Sequence, residues 1–415
     1  MKLHISTQNL VLSLSEAIDL IAPSVSYHHR FVACAACQIC EAAGIPLPMK
    51  KEIIYASALH DIGSLSESEK LRLANFNYEE EDGGHAKRGY LLVKEYKPFE
   101  KVAQFIRYHH SKWGESEFDL QKNEIRIGAN IILLADRIAV LINLNKNILE
   151  QAPQIADRIL KMPQNTFAPQ LLDAFLKLSK VEAFWLNIIT KSLPEIFLHN
   201  GIAESDFDRI DNYELIKIFS RIIDFRSHFT AAHSSGVAAS AKALCQMVGF
   251  SEDEAEKMEL AGFVHDIGKL AVPTEILEKT GPLSHDERNI ILTHTYYTDM
   301  ILSRIKNFDT IRQWAAYHHE KMDGSGYPFH LESKNLPVGS RIMAVADIFV
   351  ALFEDRPYRK GMTKEQAFSI IENMVPKALD PLIVKLLKDN FEYINSCRIK
   401  AQEKAAKEYL EFFSA

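Results

Sequence analysis

Seven histidines and aspartates in the C-terminal half of this sequence are of the types that bind divalent metal ions. They are His233, His265, Asp266, His294, His318, His319 and Asp347. Imidazole and carboxylate groups suit zinc, iron, manganese and similar ions, and several must converge from different helices to close a site. The adjacent pair His265-Asp266 favours two ions, because the carboxylate can bridge to a second ion while the imidazole holds the first. Two ions about 3.5–4 Å apart are a recurring device for phosphate ester hydrolysis, so the set predicts that chemistry.

The N-terminal half of the chain repeats this pattern with the same residue types in the same order. The pair His60-Asp61 stands 205 positions before His265-Asp266, and the offset grows only to 209 and then 211 along the set. The N-terminal members are His28, His60, Asp61, His85, His109, His110 and Asp136. Ten of the 16 histidines fall in the two sets. A single histidine is more often a core or surface residue, but an ordered and repeated set indicates metal binding.

Length and composition bound the kind of protein that carries these residues. A chain of 415 residues predicts two to three domains. With 47% apolar and 25% charged residues, disordered and collagen-like classes are excluded. The net charge of -7 disfavours partners such as nucleic-acid polymers and anionic membranes. A secretory signal, an uncharged bilayer-spanning stretch and a disulfide framework are all missing from the sequence, so we expect a soluble, cytoplasmic protein.

The spacing of hydrophobic residues is mostly helical, as in 254–264 and 51–59, while period-two alternation is scarce. We therefore predict an all-α fold with two tandem helical domains of one kind. The predicted segments are 1–145 for the first domain, 146–205 for a helical connector, 206–390 for the second domain and 391–415 for a C-terminal helix.

Three cysteines, Cys34, Cys37 and Cys40, are spaced C-x-x-C-x-x-C, which on spacing alone would suit an iron–sulfur or zinc site. They lie in an Ala-rich helical segment. Residues spaced by three are progressively rotated about the helix axis, and small side chains permit close contacts between helices. We interpret them as buried small residues.

Two motifs resemble the signature of a known family. HDIGK at 265–269 and HHEKMDGSGYP at 318–328 are similar to the HD-GYP phosphodiesterases, a branch of the HD metal-dependent phosphohydrolases. The resemblance runs from about Tyr213 to Asp389 and includes VADIFVAL around Asp347 and DRPYR at 355–359. It implies an enzyme that hydrolyses cyclic di-GMP to linear pGpG and then to GMP, or that acts on 3′,3′-cyclic GMP-AMP as some members do.

The resemblance also implies how the ligands divide between two ions. One ion would be held by His233, His265, Asp266 and Asp347, and the other by His294, His318 and His319, with Asp266 bridging. Some members bind a third ion through a glutamate four residues before the first histidine, where this sequence has Phe229, so two ions are expected. Iron or manganese is the family expectation, although nitrogen and oxygen ligands alone do not choose among first-row metals. The implied reaction is attack by a metal-bridging hydroxide on one phosphorus, which expels the 3′-oxygen and opens the ring.

Lys269 and a turn-rich loop are the next candidates for substrate contact. Lys269 lies four residues after His265, so one helical turn would direct its ammonium to the phosphate, whereas a solvated helix lysine is the alternative. Asp266 and Lys269 are thus the expected catalytic residues. The loop with Gly326, Tyr327 and Pro328 has turn chemistry, and the resemblance implies that it shapes the pocket mouth and a surface for partner proteins.

Two arginines complete the predicted substrate site. Arg356 and Arg359 are three apart, and their guanidinium groups can address the phosphates of a dianionic dinucleotide. A surface ion pair with Glu354 or Asp355 is the alternative interpretation.

The N-terminal half keeps the seven ligand types but lacks the substrate-handling parts. Ser64 stands at the position of Lys269, SKWGESEF follows the double histidine, and RIAVLINLN follows Asp136. We interpret this half as a degenerate regulatory or dimerising domain, which makes a homodimer one arrangement of the protein, and we leave metal binding there open.

Two other functions stand as alternatives to the phosphodiesterase. One is a catalytically silent module that senses a nucleotide or partner in the same pocket, and the full ligand set with Lys269 argues against it. The other is a nucleotidase or phosphatase acting on mononucleotides, which the GYP loop and the arginine pair disfavour.

Overall fold

The computed structural model describes residues 6–23, 27–75, 84–202, 213–226, 232–355 and 360–414. Over these residues it consists of α-helices, short 3-10 helices and one isolated antiparallel bridge between Asp323 and Glu332, without a strand. The prediction of an all-α fold is confirmed. Among the described helices, none is both long and apolar enough to cross a membrane.

The chain divides into two compact units, one at Ser6–Asp208 and one that includes Arg209–Ala415. The first unit contains α1 (Thr7–Asp19), α2 (His28–Ala42), α3 (Leu47–Leu59), α4 (Glu67–Leu73), α5 (Gly84–Val93), α6 (Glu100–Tyr108), α7 (Ser116–Asp119), α8 (Asn123–Ala139), α9 (Ile148–Leu160), α10 (Pro169–Leu178), α11 (Glu182–Thr190) and α12 (Leu193–His199), with a 3-10 turn at Lys97–Phe99. The helices α9 to α12 come from the predicted connector, and α10, α11 and α12 pack on α2. The four-segment division of the sequence stays a prediction.

The second unit has the same helical character. It contains α13 (Tyr213–Asp224), α14 (His233–Val248), α15 (Glu252–Val264), a 3-10 helix (Ile267–Ala271), α16 (Thr274–Leu277), α17 (His285–Leu292), α18 (His294–Leu302), α19 (Asp309–Ala316), α20 (Val338–Phe353), α21 (Lys364–Asn373), α22 (Pro381–Asp389) and α23 (Phe391–Ser414). The C-terminal helix α23 packs along α14, which also contacts α15 and α20.

Local sequence explains where several of these helices begin and end. At the start of α15, the Ser251 side chain accepts from the backbone of Glu254 and the Glu254 carboxylate accepts in return, and Ser284 and Glu287 do the same for α17. Reciprocal capping satisfies backbone N–H groups that a first helical turn leaves without partners. At the other end of α14, Gly249 closes the helix with φ of 98°, a left-handed conformation that glycine adopts without a Cβ clash.

The connection between α14 and α15 determines where the HD pair lies. Because only residues 249–251 join them, the two helices run antiparallel, and the end of α15 lies beside the start of α14. Their contact is close at Gly262, where a Cβ atom would be 2.4 Å from Ala238 Cα. Only glycine permits such a backbone approach. The hairpin therefore brings the residues after α15 next to His233.

Each unit also has a close glycine contact of its own after its His-Asp pair. A Cβ on Gly268 would lie 1.9 Å from the His294 carbonyl oxygen, and one on Gly63 would lie 2.1 Å from that of His85. Each glycine lets the turn after the HD pair touch the helix that carries the next histidine. The repeat thus extends from the ligands to the backbone contact that places them.

The three spaced cysteines are all buried on α2. Burial raises the pKa of Cys34 to about 12 and that of Cys37 to about 11, so both are neutral thiols near neutral pH. Cys34 Sγ donates to the carbonyl of Asn187 in α11. Their interpretation as buried small residues is confirmed.

Candidate functional site

Five segments of the second unit bring the seven predicted ligands together. His233 opens α14, His265 and Asp266 follow α15, His294 opens α18, His318 and His319 follow α19, and Asp347 lies in α20. Six of the seven are buried, and His319 is partly buried. The set predicted from spacing therefore forms one cluster.

The first part of this cluster is made of His233, His265 and Asp347. The Nε2 atom of His233 lies 3.1 Å from Asp347 Oδ1, and that of His265 lies 3.9 Å from the same oxygen. Each residue offers one ligand atom within 4.8 Å of the other two. Ligand atoms that each lie about 2.0–2.2 Å from one ion fall within this range of one another.

The second part consists of His294, His318 and His319. The Nε2 atoms of His294 and His318 are 3.4 Å apart, and all three residues offer nitrogen atoms within 4.8 Å of one another. Three imidazoles in this arrangement can hold one divalent ion of the first transition row.

Asp266 lies between the two groups and faces each with a different oxygen. Its Oδ2 is 3.2 Å from His265 Nε2, whereas its Oδ1 is 3.5 Å from His294 Nε2 and 3.8 Å from His318 Nε2. A carboxylate with one oxygen toward each group has the geometry required to bridge two ions. The bridging role that the family resemblance implied is compatible with this placement.

Hydrogen bonds behind the imidazoles direct their Nε2 atoms inward. The Nδ1 atoms of His265, His294 and His318 donate to the carbonyls of Gly262, Ile291 and Ala315, at 2.8, 2.7 and 2.6 Å. Such bonds select the tautomer whose Nε2 lone pair is available to a metal. Each carbonyl is three residues before its histidine, so the arrangement follows from local helix geometry.

His233 has a different partner, the carboxylate of Glu354. Its Nδ1 lies 2.8 Å from Glu354 Oε2, which also places a negative charge behind this ligand. From the sequence, Glu354 is expected only as an ion-pair partner of the arginines, and its contact with His233 is not predicted. A usable signal existed, because Glu354 follows Asp347 by seven residues, or two helical turns along one face.

The protonation states of the cluster match those of metal ligands. Burial lowers the pKa of His294 to about 3 and that of His318 well below its usual range. Burial alone would raise the pKa of Asp266, but the neighbouring His265 and Lys269 outweigh it, and the pKa is well below normal. Neutral imidazoles and ionised carboxylates are the forms that bind metal.

Two buried atoms of the cluster are left without hydrogen bonds. They are His265 Nε2 and Asp266 Oδ1, which have no hydrogen-bond partner among the described residues. Buried polar atoms without hydrogen-bond partners are rare because each costs free energy, and coordination of a metal ion would satisfy both atoms. The donor set, its charge state and these two atoms fit a pair of divalent metal ions.

Lys269 extends its ammonium to the Asp266 carboxylate. Its Nζ lies 2.5 Å from Asp266 Oδ2, and the side chain is 19% exposed. The expected α-helical turn between His265 and Lys269 is wrong, because α15 ends at Val264 and Lys269 belongs to the 3-10 helix that follows. The tighter turn nevertheless points the ammonium at the cluster rather than at bulk solvent.

The GYP loop lies against the second histidine group. The Tyr327 ring is 5.0 Å from the His319 ring, centroid to centroid, and the Tyr327 backbone donates to the His319 carbonyl at 3.3 Å. The buried Glu320 carboxylate accepts from the backbone of Phe329 at 2.7 Å and of Leu331 at 3.0 Å, which holds the loop in place. Gly326 is needed for this fold-back, since its Cβ would lie 2.4 Å from Glu320 Cα.

Two predictions fall on residues that the structure does not describe. Arg356 and Arg359, the proposed phosphate contacts, lie outside the described ranges, as does Phe229. Their roles stay predictions from the sequence.

The first unit assembles its own seven residues into a closely similar cluster. One group contains His28, His60 and Asp136, and the other contains Asp61, His85, His109 and His110. The Nε2 atom of His28 is 3.1 Å from Asp136 Oδ1, the same separation as between His233 and Asp347. Asp61 again faces both groups, with Oδ2 3.5 Å from His60 Nε2 and Oδ1 3.2 Å from His85 Nε2.

The surroundings of this first-unit cluster differ from those of the second. Ser64 is buried where the second unit has Lys269, and the guanidinium of Arg137 donates to Asp136, with Nε 3.0 Å from Oδ2. The adjacent cavity is about 10 Å³, roughly room for one water molecule, and is lined by His28, Asp61 and Lys70 among others. Sequence reasoning missed Lys70, because no counterpart exists in the second unit.

Sequence reasoning also missed a carboxylate behind each cluster, half-buried in the first unit and buried in the second. Asp19 and Asp224 are 205 residues apart, and their partners His29 and Ser234 are separated by the same number. Asp19 Oδ1 is 2.6 Å from His29 Nδ1, and Ser234 Oγ donates to Asp224 Oδ1 at 2.7 Å. Burial raises the pKa of Asp224 to about 7, against the lowering effect of the Ser234 hydrogen bond. The constant spacing was the signal that could have found this pair.

Comparison with protein families finds the HD domain twice in this chain. One match covers residues 25–141 and the other 217–383. Each match contains one of the two clusters.

Two curated relatives illustrate the similarity. The 3′3′-cGAMP-specific phosphodiesterase 1 of Vibrio cholerae serotype O1 is 30% identical over 335 residues, which cover 78% of each protein. The cyclic di-GMP phosphodiesterase of Thermotoga maritima is 32% identical over 235 residues, or 55% of this chain and 64% of that protein.

A solved structure agrees with the fold of nearly the whole chain. The crystal structure of a cyclic GMP-AMP-specific phosphodiesterase of V. cholerae matches with a TM-score of 0.62, covering 94% of this chain and 98% of that one. The sequence identity is 22%, so this match supports the fold alone.

Proposed function

This chain belongs to the HD-GYP family of phosphodiesterases and carries an additional HD domain in its N-terminal half, and on that premise we propose that its second unit hydrolyses a cyclic dinucleotide. The observation that supports this most is the convergence of two ligand groups around Asp266, with the Lys269 ammonium against the same carboxylate. Two-ion centres are suited to the in-line displacement by which phosphodiesters are hydrolysed.

The proposed substrate is cyclic di-GMP or the mixed dinucleotide 3′,3′-cyclic GMP-AMP. The sequence motifs favoured cyclic di-GMP, with pGpG and then GMP as products. The relative that matches 78% of this chain is named for the mixed dinucleotide, and this favours including it as the second candidate. Hydrolysis of either breaks the bond between one phosphorus and a 3′-oxygen and leaves a linear dinucleotide.

We propose two divalent ions in the second unit, with iron or manganese as the expected metals. His233, His265 and Asp347 would hold one and His294, His318 and His319 the other, with Asp266 between them. When bound, such ions activate water and offset negative charge on the phosphate. The donor set is rich in nitrogen, which suits first-row metals better than magnesium or calcium.

The chain's own groups have separate tasks in this proposal. The carbonyl hydrogen bonds on Nδ1 keep three imidazoles oriented, and Glu354 does the same for His233. Lys269 is placed to offset charge that develops on the phosphate oxygens, which is worth more in a buried site than in water. Tyr327 and the rest of the GYP loop border the second histidine group and would shape the pocket mouth.

The test is turnover with product analysis on the full chain. Cyclic di-GMP, 3′,3′-cyclic GMP-AMP and mononucleotides are incubated with the metal-loaded protein, and products are separated by chromatography. Linear dinucleotide from either cyclic substrate is the expected result. Binding without turnover would establish the silent sensor, and cleavage of mononucleotides alone would establish the phosphatase.

Replacing Arg356 or Arg359 by alanine is expected to raise KM for the cyclic dinucleotide by roughly 10-fold, because each guanidinium would contribute charge-assisted contacts to phosphate. A small chromogenic phosphodiester that cannot span the pocket should be cleaved nearly as well as by wild type. Steady-state kinetics on both substrates measures this. Equal losses on the two substrates would contradict a role in dinucleotide recognition.

The first-unit cluster is proposed to hold metal without catalysing the reaction. His60→Ala and Asp61→Ala should leave kcat/KM within about 3-fold of wild type, because Ser64 replaces the lysine there. Both should lower the melting temperature, since a metal that joins several helices contributes folding free energy. Calorimetry and kinetics on the same preparations separate the two effects. Loss of half the turnover in Asp61→Ala, with metal retained in the second unit, would make the first unit an active site.

Three further expectations remain proposals. Partner proteins would contact the GYP loop, a homodimer would form through the degenerate first unit, and the protein would act in the cytoplasm.

A further inference from the structure

The guanidinium of Arg226, directly after α13, is buried against the segment that carries Lys269. Only 8% of Arg226 is exposed. Its Nη1 donates to the carbonyls of Lys269 and Leu270, both at 3.0 Å. Its Nη2 donates to the Val272 carbonyl and to Thr274 Oγ1, both at 3.3 Å. One side chain therefore donates to four residues between positions 269 and 274, in the 3-10 helix and the segment that follows it.

These hydrogen bonds hold a segment whose own backbone hydrogen bonds stabilise it little. A 3-10 helix has poorer hydrogen-bond geometry than an α-helix, and the one at Ile267–Ala271 is a single short piece. A guanidinium is planar and presents its donors in a fixed fork, so its bonds to several carbonyls restrain their relative orientation. The backbone beneath Lys269 is thereby tied to the end of α13.

We propose that Arg226 is a positioning residue for Lys269, which fixes the lysine backbone so that the ammonium meets the substrate phosphate. This inference rests on the proposed function, because it assumes that Lys269 contributes to hydrolysis. Displacing a reacting group by about 1 Å can cost roughly 100-fold in rate, so the restraint has a measurable consequence.

The first unit supplies an internal comparison for this role. The position 205 residues before Arg226 is Ile21, a buried residue without a side-chain donor, and the position 205 before Lys269 is Ser64. Residues 60–66, all described, form turns and bends with no 3-10 helix after the HD pair. There Arg88 of α5 donates to the Gly63 carbonyl at 2.9 Å. Relative to the second unit, the first unit thus lacks both the arginine that follows α13 and the lysine of the 3-10 helix.

The same comparison separates a positioning role from a general structural one. The first unit builds its ligand cluster with isoleucine in place of Arg226, and its Asp61 faces both ligand groups as Asp266 does. A cluster of this kind can therefore form without a guanidinium at this position, as the first unit shows. In this chain the arginine occurs in the unit that also has the lysine, and both are absent from the corresponding positions of the other unit.

A double-mutant cycle in the full-length, metal-loaded protein tests the proposal. Arg226→Ala is expected to lower kcat about 10-fold or more, with KM within about 3-fold and metal content unchanged. In the Lys269→Ala background, the same substitution should change kcat by less than about 3-fold, because the group that it positions is gone. Arg226→Lys keeps the charge but lacks the forked guanidinium. This variant should fold, and its kcat should fall nearly as far as that of Arg226→Ala.

Arg341→Ala is the matched control. Its guanidinium also donates to a backbone carbonyl, that of Leu336 at 3.0 Å, and to the Asp380 carboxylate at 3.1 Å, but it holds a different loop of the same unit. We expect its kcat to stay within about 3-fold of wild type, with a lower melting temperature.

The outcomes distinguish this inference from the function on which it rests. Two results would overturn the role of Arg226 alone, both combined with a large loss of kcat in Lys269→Ala. One is an unchanged kcat in Arg226→Ala, and the other is a double variant in which the two losses of kcat multiply. An unchanged kcat in Lys269→Ala would overturn the proposed role of the lysine and this inference with it. If Arg226→Ala fails to fold, the cycle is run with Arg226→Lys and the same criteria apply.

Discussion

Asp266→Ala is expected to abolish hydrolysis of the cyclic dinucleotide, with a loss of at least about 1,000-fold in kcat. One carboxylate faces both ligand groups, at 3.2 Å from His265 Nε2 and 3.5 Å from His294 Nε2, so its removal leaves neither ion properly held. The same variant should lose metal from the second unit. Elemental analysis and product chromatography on one preparation measure both losses.

Asp61→Ala is the matched control, because Asp61 occupies the same place in the first-unit cluster. It removes an equivalent buried carboxylate from an HD domain and should leave turnover nearly intact. Asp266→Asn, close to isosteric, guards against the objection that the alanine variant simply misfolds. Full activity in both Asp266 variants would eliminate the proposed site.

Lys269→Ala is expected to lower kcat by about 100-fold or more while the bound metal stays the same. The ammonium lies 2.5 Å from Asp266 Oδ2 but no ion requires it as a ligand, so its loss removes charge stabilisation without removing ligation. The expected pattern, lower kcat with full metal content, differs from that of Asp266→Ala. Steady-state kinetics and elemental analysis distinguish the two variants.

Lys242→Ala provides the comparison for the lysine variant. Lys242 forms an ion pair with Glu259 at 2.8 Å in the same unit, and Glu259 is none of the cluster ligands. Its replacement should leave kcat within about 2-fold, since neither partner of this half-buried pair is a candidate ligand of the cluster. An unchanged kcat in Lys269→Ala would place this lysine with Lys242 as a surface residue.

The two units make the proposed division of labour testable within one molecule. Both bring imidazoles and carboxylates to nearly the same separations, such as 3.1 Å for His28 to Asp136 and for His233 to Asp347. They differ in what surrounds the ligands, where Arg226 and Lys269 of the second unit are replaced by Ile21 and Ser64. Ligand geometry alone therefore does not account for the proposed restriction of catalysis to one unit, and the proposal assigns that difference to the groups expected to contact phosphate.

Sequence alone was sufficient for the helical class and for the set of candidate ligands that the fold brings together. Helical spacing of apolar residues reports directly on local backbone geometry, which is why the all-α prediction is confirmed. The candidate ligands were identified because two copies of one pattern, 205 to 211 residues apart, set these histidines apart from those without a counterpart, such as His199. The constant spacing of Asp19 and Asp224 carried the same kind of signal.

Only the tertiary structure decided which residues support those ligands. The contacts of His233 with Glu354 and of Arg226 with the Lys269 carbonyl join positions 121 and 43 residues apart. In the sequence, such a glutamate or arginine cannot be told from an ordinary surface residue. Only the packing of separate helices removes it from water and gives it a partner. Local turn chemistry likewise did not predict the 3-10 helix after α15, whose carbonyls accept hydrogen bonds from Arg226, a residue distant in the sequence. The candidate metal ligands could be recognised by type and repetition, whereas the residues that orient them are defined by contacts that exist only in the folded chain.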